Sequence, residues 1–178
     1  MKKEVEIRYE LSEQEYNEIR KNLTNGIVPQ IQNDIYFCIN EFVLNGKSDD
    51  APYIIRLREC NSEYLFTYKS FVDNKTSWIE KETKIGDKET MISILQFMGL
   101  SKFLCINKKR YSKQIGDIQI NLDNIENLGF FIELEIMSEN VNEAKNILKK
   151  FMNESLKIDK FHIINEGYVQ LMKKKLFG

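Results

Sequence analysis

Charged residues recur at every second position in several short segments of the sequence. The first segment is Glu4-Val5-Glu6-Ile7-Arg8, and a strand would send its three charged side chains to one face and its two apolar side chains to the other. Four later pairs have the same spacing: Arg56 and Arg58, Glu80 and Glu82, Lys108 and Arg110, and Glu133 and Glu135. Clustered carboxylates need cations and clustered Lys or Arg side chains need anions, because like charges about 4 Å apart cost roughly 4 kcal/mol at an effective dielectric near 20. A complex of a divalent metal with a polyphosphate supplies both.

These doubled charges have two interpretations. An ordinary antiparallel sheet also alternates, so any single pair is compatible with a strand whose charged face lies in water. Recurrence in several segments, with both signs of charge, favours strands that close into a barrel and turn their charged faces inward. We therefore expect a charged barrel interior that can hold a metal and a polyphosphate.

The composition predicts one domain over residues 1–178. With 178 residues, of which 42% are hydrophobic and 30% charged, the chain can bury a core and is not compositionally disordered. Its formal net charge of -1 argues against a nucleic acid partner, because proteins that bind duplex DNA usually carry a clear basic excess.

The sequence also indicates where the protein resides. No apolar run approaches the length of a membrane span, and the residues after Met1 are charged rather than hydrophobic, so we expect a cytoplasmic protein without membrane contact. Cys38, Cys60 and Cys105 are odd in number and lie in apolar runs, which favours reduced core residues over a zinc site or disulfides.

Helix and strand signals alternate along the chain. Ser12 and Glu15 predict a capping box that starts a helix ending before Asn25, and Asp87 predicts the cap of a helix that ends at Gly99. Helical spacing predicts a further helix over residues 141–152 and a short one from about residue 165. Predicted strands cover the opening pentad and residues 31–39, 53–60, 64–70, 75–85, 102–112, 117–122 and 130–137. This order predicts a strand-rich α+β fold with helices outside a barrel.

Several motifs share their order with one known superfamily. The opening Glu4, Glu6 and Arg8 resemble its E-x-E-x-K signature, with Arg in place of the usual Lys. The later matches are Gln32-Asn33-Asp34-Ile35-Tyr36-Phe37, Arg56-Leu57-Arg58, Tyr68-Lys69, Lys108-Lys109-Arg110, the run from Leu122 to Glu135, and Gly167-Tyr168-Val169-Gln170-Leu171-Met172, in which Gly replaces a common Ser. Over nearly its whole length the chain resembles the CYTH superfamily, the triphosphate tunnel metalloenzymes, and within it the CyaB-like branch that includes class IV adenylyl cyclases.

This resemblance implies a closed eight-stranded antiparallel barrel, called a triphosphate tunnel, with Mg²⁺ or Mn²⁺ as cofactor and a small-molecule triphosphate as partner. The implied metal-binding carboxylates are Glu4, Glu6, Glu80, Glu82, Glu133 and Glu135. The implied phosphate-binding residues are Arg8, Arg56, Arg58, Lys69, Lys108 and Arg110. Catalytic roles fall on Glu4, Glu6, Lys69 and Asp123. Homodimers are plausible in this branch.

Some of these roles have alternatives. Asp123 could ligate a metal, orient a base or merely end its strand, and Glu80 and Glu82 could serve a second metal or pair with basic residues. Tyr36 and Trp78 could contact substrate, although packing roles are favoured for both. His162, the single histidine, lies in an apolar context that favours packing or a surface position over catalysis.

Three functions fit this set of residues. A triphosphatase would direct water at the terminal phosphorus of a nucleotide, tripolyphosphate or thiamine triphosphate. A class IV adenylyl cyclase would direct the ribose 3′-hydroxyl at the α-phosphorus of ATP and release pyrophosphate. The complete pairs Arg56/Arg58 and Glu133/Glu135 resemble the triphosphatase members, and the His-Phe start common in class IV cyclases is missing, so hydrolysis is slightly favoured. The length and the carboxyl-terminal half of the chain favour the cyclases instead. A third hypothesis is a polyphosphate- or nucleotide-binding module without turnover, which the number of carboxylates near the cations argues against.

Overall fold

The computed structural model describes residues 3–72, 77–156, 163–164 and 166–177, and these form two compact units. Unit 1 is drawn from Met1–Gln30 and Lys108–Lys175, and unit 2 from Ile31–Asn107 and Leu176–Gly178. The strands are β1 (Lys3–Leu11), β2 (Gln30–Ile39), β3 (Tyr53–Cys60), β4 (Glu63–Val72), β5 (Ser77–Ile85), β6 (Leu100–Ile115), β7 (Ile118–Ile125), β8 (Gly129–Ser138) and β9 (Ile163–Ile164). The helices are α1 (Glu13–Leu23), α2 (Asn40–Leu44), α3 (Lys88–Phe97), α4 (Val141–Ser155) and α5 (Tyr168–Phe177), with a 3₁₀ turn at Ser48–Asp50.

The helices begin where short polar side chains can accept the first backbone N–H groups. Ser12 and Glu15 form the predicted capping box of α1, in which each side chain bonds the backbone of the other. Asp87 accepts from the backbone N–H groups of Glu89 and Thr90 at the start of α3. Asn140 caps α4 in the same way. These caps fix the points at which the chain leaves the sheet.

Unit 1 is an antiparallel sheet with opposite chemistry on its two faces. The order is β7-β8-β1-β9, and the second half of β6 pairs with β7. The odd-numbered positions of β1, such as Ile7 and Tyr9, pack with Leu148 and Met152 of α4 and with Ile19 of α1 in a buried apolar core. Because side chains alternate along a strand, the charged even-numbered positions of β1 lie on the other face. The helices therefore cover the apolar face of this sheet.

Unit 2 repeats this arrangement with a single covering helix. Its order is β5-β4-β3-β2, and β6 is the neighbour of β2. Phe37, Ile55 and Leu57 pack against Leu95 of α3. The hairpin between β3 and β4 turns at Asn61 and Ser62, which have φ values of 50° and 65°. A two-residue hairpin loop of type I′ requires positive φ values at both of its central residues. The strand register places Arg56 opposite Thr67 of β4 and Arg58 opposite Asp34 of β2.

The predicted α+β class is confirmed, as are the antiparallel pairing and the covering helices. Nine strands are described instead of eight, because the two-residue β9 adds to β1. The hydrogen-bonded order runs from β5 to β9, and no pairing between those two strands is present among the described residues. Helix α2 and the 3₁₀ turn lie between β2 and β3. Within the described part of the chain, no helix is both long and apolar enough to span a membrane.

Other predictions have mixed outcomes. All three cysteines are free, as predicted, but of the three predicted core positions Cys38 alone is buried, whereas Cys60 is half-buried and Cys105 is exposed. His162 and the start of the predicted C-terminal helix, residue 165, lie outside the described residues, and nothing is described of the Trp78 side chain. The single domain, the homodimer and the cytoplasmic location stay predictions.

Candidate functional site

Cross-strand pairing brings the charged positions of unit 1 together. The register of β1 and β8 places Arg8 directly opposite Glu133 and Glu6 directly opposite Glu135. The register of β6 and β7 places Arg110 opposite Asp123. Residues directly opposite each other in an antiparallel pair have Cβ atoms about 4.5–5.5 Å apart, which is close enough for their charges to meet. One face of this sheet is therefore a continuous group of acids and bases.

Glu133 lies at the centre of this group, between two arginines. The Nε of Arg8 donates to Glu133 Oε2 at 2.9 Å, and Arg8 Nη2 donates to the same oxygen. Arg110 Nη2 donates to Glu133 Oε1 at 3.0 Å. Burial alone would raise the pKa of Glu133, but the charges of Arg110 and Arg8 hold that pKa well below its usual range. The carboxylate is therefore ionised and tightly held.

Asp123 is fully buried and holds the second arginine. Arg110 donates from Nε to Asp123 Oδ1 at 2.7 Å and from Nη2 to Oδ2 at 2.6 Å, which is a bidentate pair. The hydroxyl of Tyr168 donates to Asp123 Oδ2 at 2.8 Å. Because both carboxylate oxygens already accept these bonds, the contacts of Asp123 favour positioning of Arg110 over metal ligation or base chemistry.

Glu4, Glu6 and Glu135 form a separate group of carboxylates. One oxygen from each residue lies within 4.8 Å of the others. Burial raises the pKa of Glu135 to about 8, with further increases from its hydrogen bond and charge interaction with Glu133 and from the charge of Glu4. Asn121 Nδ2 donates to Glu135 Oε1 at 2.9 Å and orients the carboxyl. Closely spaced carboxylate oxygens suit a hard divalent cation, and such an ion would relieve the repulsion that raises this pKa.

Arg8 links the carboxylate group to the rest of the face. Its Nη2 also donates to Glu6 Oε1 at 3.1 Å, and its Nη1 donates to the backbone oxygen of Glu166 at 2.7 Å. The guanidinium carbon lies 4.3 Å from the centre of the Tyr168 ring, and the Nζ of Lys108 lies 5.3 Å from the same centre. Burial alone would lower the pKa of Arg8, but the charge of Glu133 raises it above its usual value. Arg8 is therefore a permanent cation.

Arg56 heads a second charge group, in unit 2. Its Nη2 donates to Thr67 Oγ1 at 3.1 Å, to Glu82 Oε2 at 3.0 Å and to Glu80 Oε1 at 3.3 Å. Lys69 Nζ lies 2.7 Å from Glu80 Oε2. The Nε of Arg56 is a buried donor without a hydrogen-bond partner among the described residues. A buried donor in this state costs free energy, so it suits an anion supplied from outside.

Arg58 is held more rigidly than Arg56. It donates from Nε to Asp34 Oδ1 and from Nη2 to Asp34 Oδ2, each at 2.7 Å. The hydroxyl of Tyr36 donates to Asp34 Oδ2 at 3.3 Å. Burial, together with the charge of Asp34, raises the pKa of Tyr36, so the phenol stays protonated. Arg58 therefore presents a fixed guanidinium on the same sheet face as Arg56.

The predicted site residues fall into these two charge groups. Unit 1 brings together Arg8, Lys108, Arg110, Glu4, Glu6, Glu133, Glu135 and Asp123. Unit 2 brings together Arg56, Arg58, Lys69, Glu80 and Glu82. The six carboxylates predicted for metal binding do not form one set. Glu133 pairs with arginines. Glu80 and Glu82 pair with Arg56, which matches the alternative that these two residues pair with basic residues instead of serving a second metal.

Sequence reasoning gave no role to several residues that these groups include. Asp34, Thr67 and Asn121 each orient a charged side chain, and Tyr168 lies against two cations. For Asn121 a signal was present, since Gln119, Asn121 and Asp123 alternate with apolar residues along β7. The position of Tyr168 is set by α5, far away in sequence, and alternation gives no indication of it.

Comparisons with known proteins give a consistent result. The family model described as the CYTH domain matches residues 2–168. A proposed adenylate cyclase of Methanocaldococcus jannaschii is 31% identical over 177 residues, which cover 94% of this chain and 97% of that protein. The solved structure of a protein from Pyrococcus horikoshii OT3 is 28% identical with a TM-score of 0.73, covering 97% of this chain and 99% of that one. A proposed adenylyl cyclase from Hippeastrum, described with a dominant triphosphatase activity, has a TM-score of 0.71 at 14% identity, covering 98% of this chain and 96% of that one, and shows the fold alone.

The raised pKa of Glu135 predicts a pH dependence of stability in the metal-free protein. Between the usual carboxyl pKa of about 4.3 and the folded value of about 8, the folded state keeps a proton that the unfolded state has lost. The free energy of unfolding should therefore fall as the pH rises through this window. In Glu135→Gln this component should be absent, so that the variant gains stability relative to the wild type toward pH 8.

Urea denaturation in EDTA at several pH values measures this difference. Glu10→Gln is the matched control, because Glu10 is an exposed carboxylate on the same face of β1. A constant difference between wild type and Glu135→Gln from pH 5 to pH 8 would contradict the raised pKa.

Proposed function

The chain belongs to the CYTH domain family, and on that premise we propose that the protein is a divalent-metal-dependent enzyme that binds a triphosphate and cleaves one of its phosphoanhydride bonds. One observation carries this proposal. The cations Arg8, Lys108 and Arg110 share a sheet face with the carboxylate group of Glu4, Glu6 and Glu135. A face that offers both kinds of group suits a ligand that itself combines an anion and a cation, and a metal triphosphate is such a ligand.

The arginines and the lysine would bind the phosphate oxygens. A guanidinium presents planar, paired donors that match two phosphate oxygens, whereas the ammonium of Lys108 is a compact charge. Arg8 and Arg110 are already fixed by Glu133 and Asp123, so little side-chain freedom is lost when an anion binds. This fixed positive charge stabilises the negative charge that develops on phosphate oxygens during cleavage.

The donor set of Glu4, Glu6 and Glu135 fits Mg²⁺ or Mn²⁺, because both are hard cations that prefer oxygen ligands. A bound metal would neutralise phosphate charge and lower the pKa of a coordinated water. Asn121 would keep the Glu135 carboxyl oriented toward that group. Glu133 would instead act through Arg8 and Arg110, which it holds in place.

Unit 2 offers a second set of phosphate-binding groups. Arg56, Arg58 and Lys69 lie on one face of its sheet, and Arg56 Nε is a buried donor without a partner among the described residues. By resemblance to the family we assign phosphate binding to these residues as well. Glu80 and Glu82 would then hold Arg56 and Lys69 in place rather than bind a metal.

Hydrolysis is the favoured reaction, and cyclisation of ATP is the second candidate. The complete charge pairs of both units favour the triphosphatase members of the family. The relative from Methanocaldococcus, named as a proposed adenylate cyclase, favours cyclisation. The charge groups serve either reaction, because both need a neutralised triphosphate and differ in the nucleophile.

Product analysis tests the proposal directly. The pure protein is incubated with ATP, tripolyphosphate or thiamine triphosphate, each with Mg²⁺ and with Mn²⁺, and the products are separated by chromatography. We expect orthophosphate release that requires the metal. Formation of cyclic AMP and pyrophosphate would identify the reaction as cyclisation rather than hydrolysis. Tight metal-independent binding without products would favour a binding module.

Removal of one carboxylate should abolish the metal response. In Glu6→Gln we expect the increase in Tm caused by Mn²⁺ to be lost, together with metal-dependent turnover, because a ligand oxygen and its charge are removed. Differential scanning calorimetry with and without Mn²⁺ measures the first effect. Glu10→Gln should keep both responses, and a full Mn²⁺ response in Glu6→Gln would refute the metal assignment.

Removal of the Arg56 guanidinium should weaken triphosphate binding. In Arg56→Ala we expect the KM for the best substrate to rise at least about tenfold, because truncating a charge-assisted contact costs roughly 1.5–3 kcal/mol. Steady-state kinetics measure this change, and Arg20→Ala, which removes an exposed arginine of α1, is the matched control. An unchanged KM would exclude Arg56 from the triphosphate site.

A further inference from the structure

One tyrosine ring lies against two of the proposed phosphate-binding cations. Tyr168 is the first residue of α5, and its ring centre lies 4.3 Å from the guanidinium carbon of Arg8 and 5.3 Å from Nζ of Lys108. The ring of Phe131 packs edge-to-face against the Tyr168 ring. The two ring centres lie 5.3 Å apart and the ring planes make an angle of 67°. Tyr168 therefore has a defined orientation and more than one charged neighbour.

The ring reduces a repulsion that the cations would otherwise have. Arg8 and Lys108 carry the same charge and approach the same ring, so each raises the cost of placing the other. The π face of an aromatic ring is negative and attracts both cations, and this attraction is stronger in a partly desolvated site than in water. The ring thus stabilises a pair of cations at a spacing that water would not maintain.

The ring does not use up the hydrogen-bond donors of Arg8. Among the described residues, Nη1 of Arg8, which carries two N–H groups, makes one bond, to the backbone oxygen of Glu166. The second N–H of Nη1 can therefore donate to a phosphate while Tyr168 stays in place. Without the ring, Arg8 could turn further onto Glu6 and Glu133, with which it already makes hydrogen bonds.

The hydroxyl of Tyr168 serves a different neighbour from the ring. It donates to Asp123 Oδ2 at 2.8 Å, and Asp123 holds Arg110 by two further bonds. Because Arg110 keeps its bidentate pair without the phenol, loss of the hydroxyl alone should disturb the cations less than loss of the ring.

We propose that Tyr168 is a positioning residue of the triphosphate site, whose ring holds Arg8 and Lys108 in the geometry that binds phosphate. This inference rests on the proposed function. It adds a residue of α5 to a site otherwise built from strands, and it assigns the binding effect to the ring rather than to the hydroxyl.

Three variants separate these roles. Tyr168→Leu removes the ring, Tyr168→Phe removes only the hydroxyl, and Tyr64→Leu removes a half-buried tyrosine that faces Lys88 in unit 2. For Tyr168→Leu we expect the KM for tripolyphosphate, and its Kd from calorimetry in EDTA, to rise about tenfold, the effect of losing cation–π contacts in a partly desolvated site. Turnover at saturation should stay within about twofold, because the ring acts on ground-state binding. Tyr64→Leu should stay within about twofold of the wild type in both constants, and the increase for Tyr168→Phe should be several times smaller than that for Tyr168→Leu.

Equal increases in KM for the Leu and Phe variants, or an increase no larger than that of Tyr64→Leu, would overturn the role of the ring. A wild-type protein that neither binds nor cleaves tripolyphosphate would overturn the proposed function itself, and these two failures are therefore distinguishable.

A further variant covers the case in which Tyr168→Leu does not fold. Tyr168→Met keeps a long apolar side chain at this position without an aromatic ring. We expect the same rise of about tenfold in KM and in the Kd from calorimetry, because the cation–π contacts are lost in both variants. Constants within about twofold of the wild type in Tyr168→Met would overturn the inference.

Discussion

Glu133 is an ionised carboxylate buried between Arg8 and Arg110, and the charged face of unit 1 is organised around it. A buried charge is tolerated only when it is paired and its remaining hydrogen-bonding capacity is used. The two guanidiniums satisfy Glu133, but they bring further N–H groups that also need acceptors. Asp123 and the backbone oxygen of Glu166 supply those acceptors, so the polar network extends outward from a single buried acid.

Such a network is weak evidence for stability, because desolvation of the charges offsets most of their attraction. The stability of unit 1 comes from the opposite face of the same strands, where Ile7, Tyr9 and Leu134 pack with α1 and α4. One register therefore determines both the apolar core and the cation geometry. A slip of one residue would exchange the two faces and lose both at once, so selection for a stable core also maintains the binding face.

Local patterns predict only part of this arrangement. The alternation of Glu4, Glu6 and Arg8 predicts which side chains share a face, and the capping box predicts the start of α1, because both depend on neighbouring residues in the chain. Which carboxylate meets which arginine depends on cross-strand register, which alternation does not specify. The pairing of Glu133 with arginines and the placement of Tyr168 beside Arg8 are of this second kind, since they join residues more than 100 positions apart.

Glu133 and Glu135 are two residues apart on one strand, yet their environments drive their pKa values in opposite directions. Arginine charges lower the pKa of Glu133, whereas burial and nearby carboxylates raise that of Glu135 to about 8. The charges of the protein's own cations thus outweigh the effect of burial at Glu133 but not at Glu135. The guanidiniums of β1 and β6 meet at Glu133, whereas the carboxylates of β1 meet at Glu135. In the proposed function, this division places phosphate beside the first carboxylate and a metal ion beside the second.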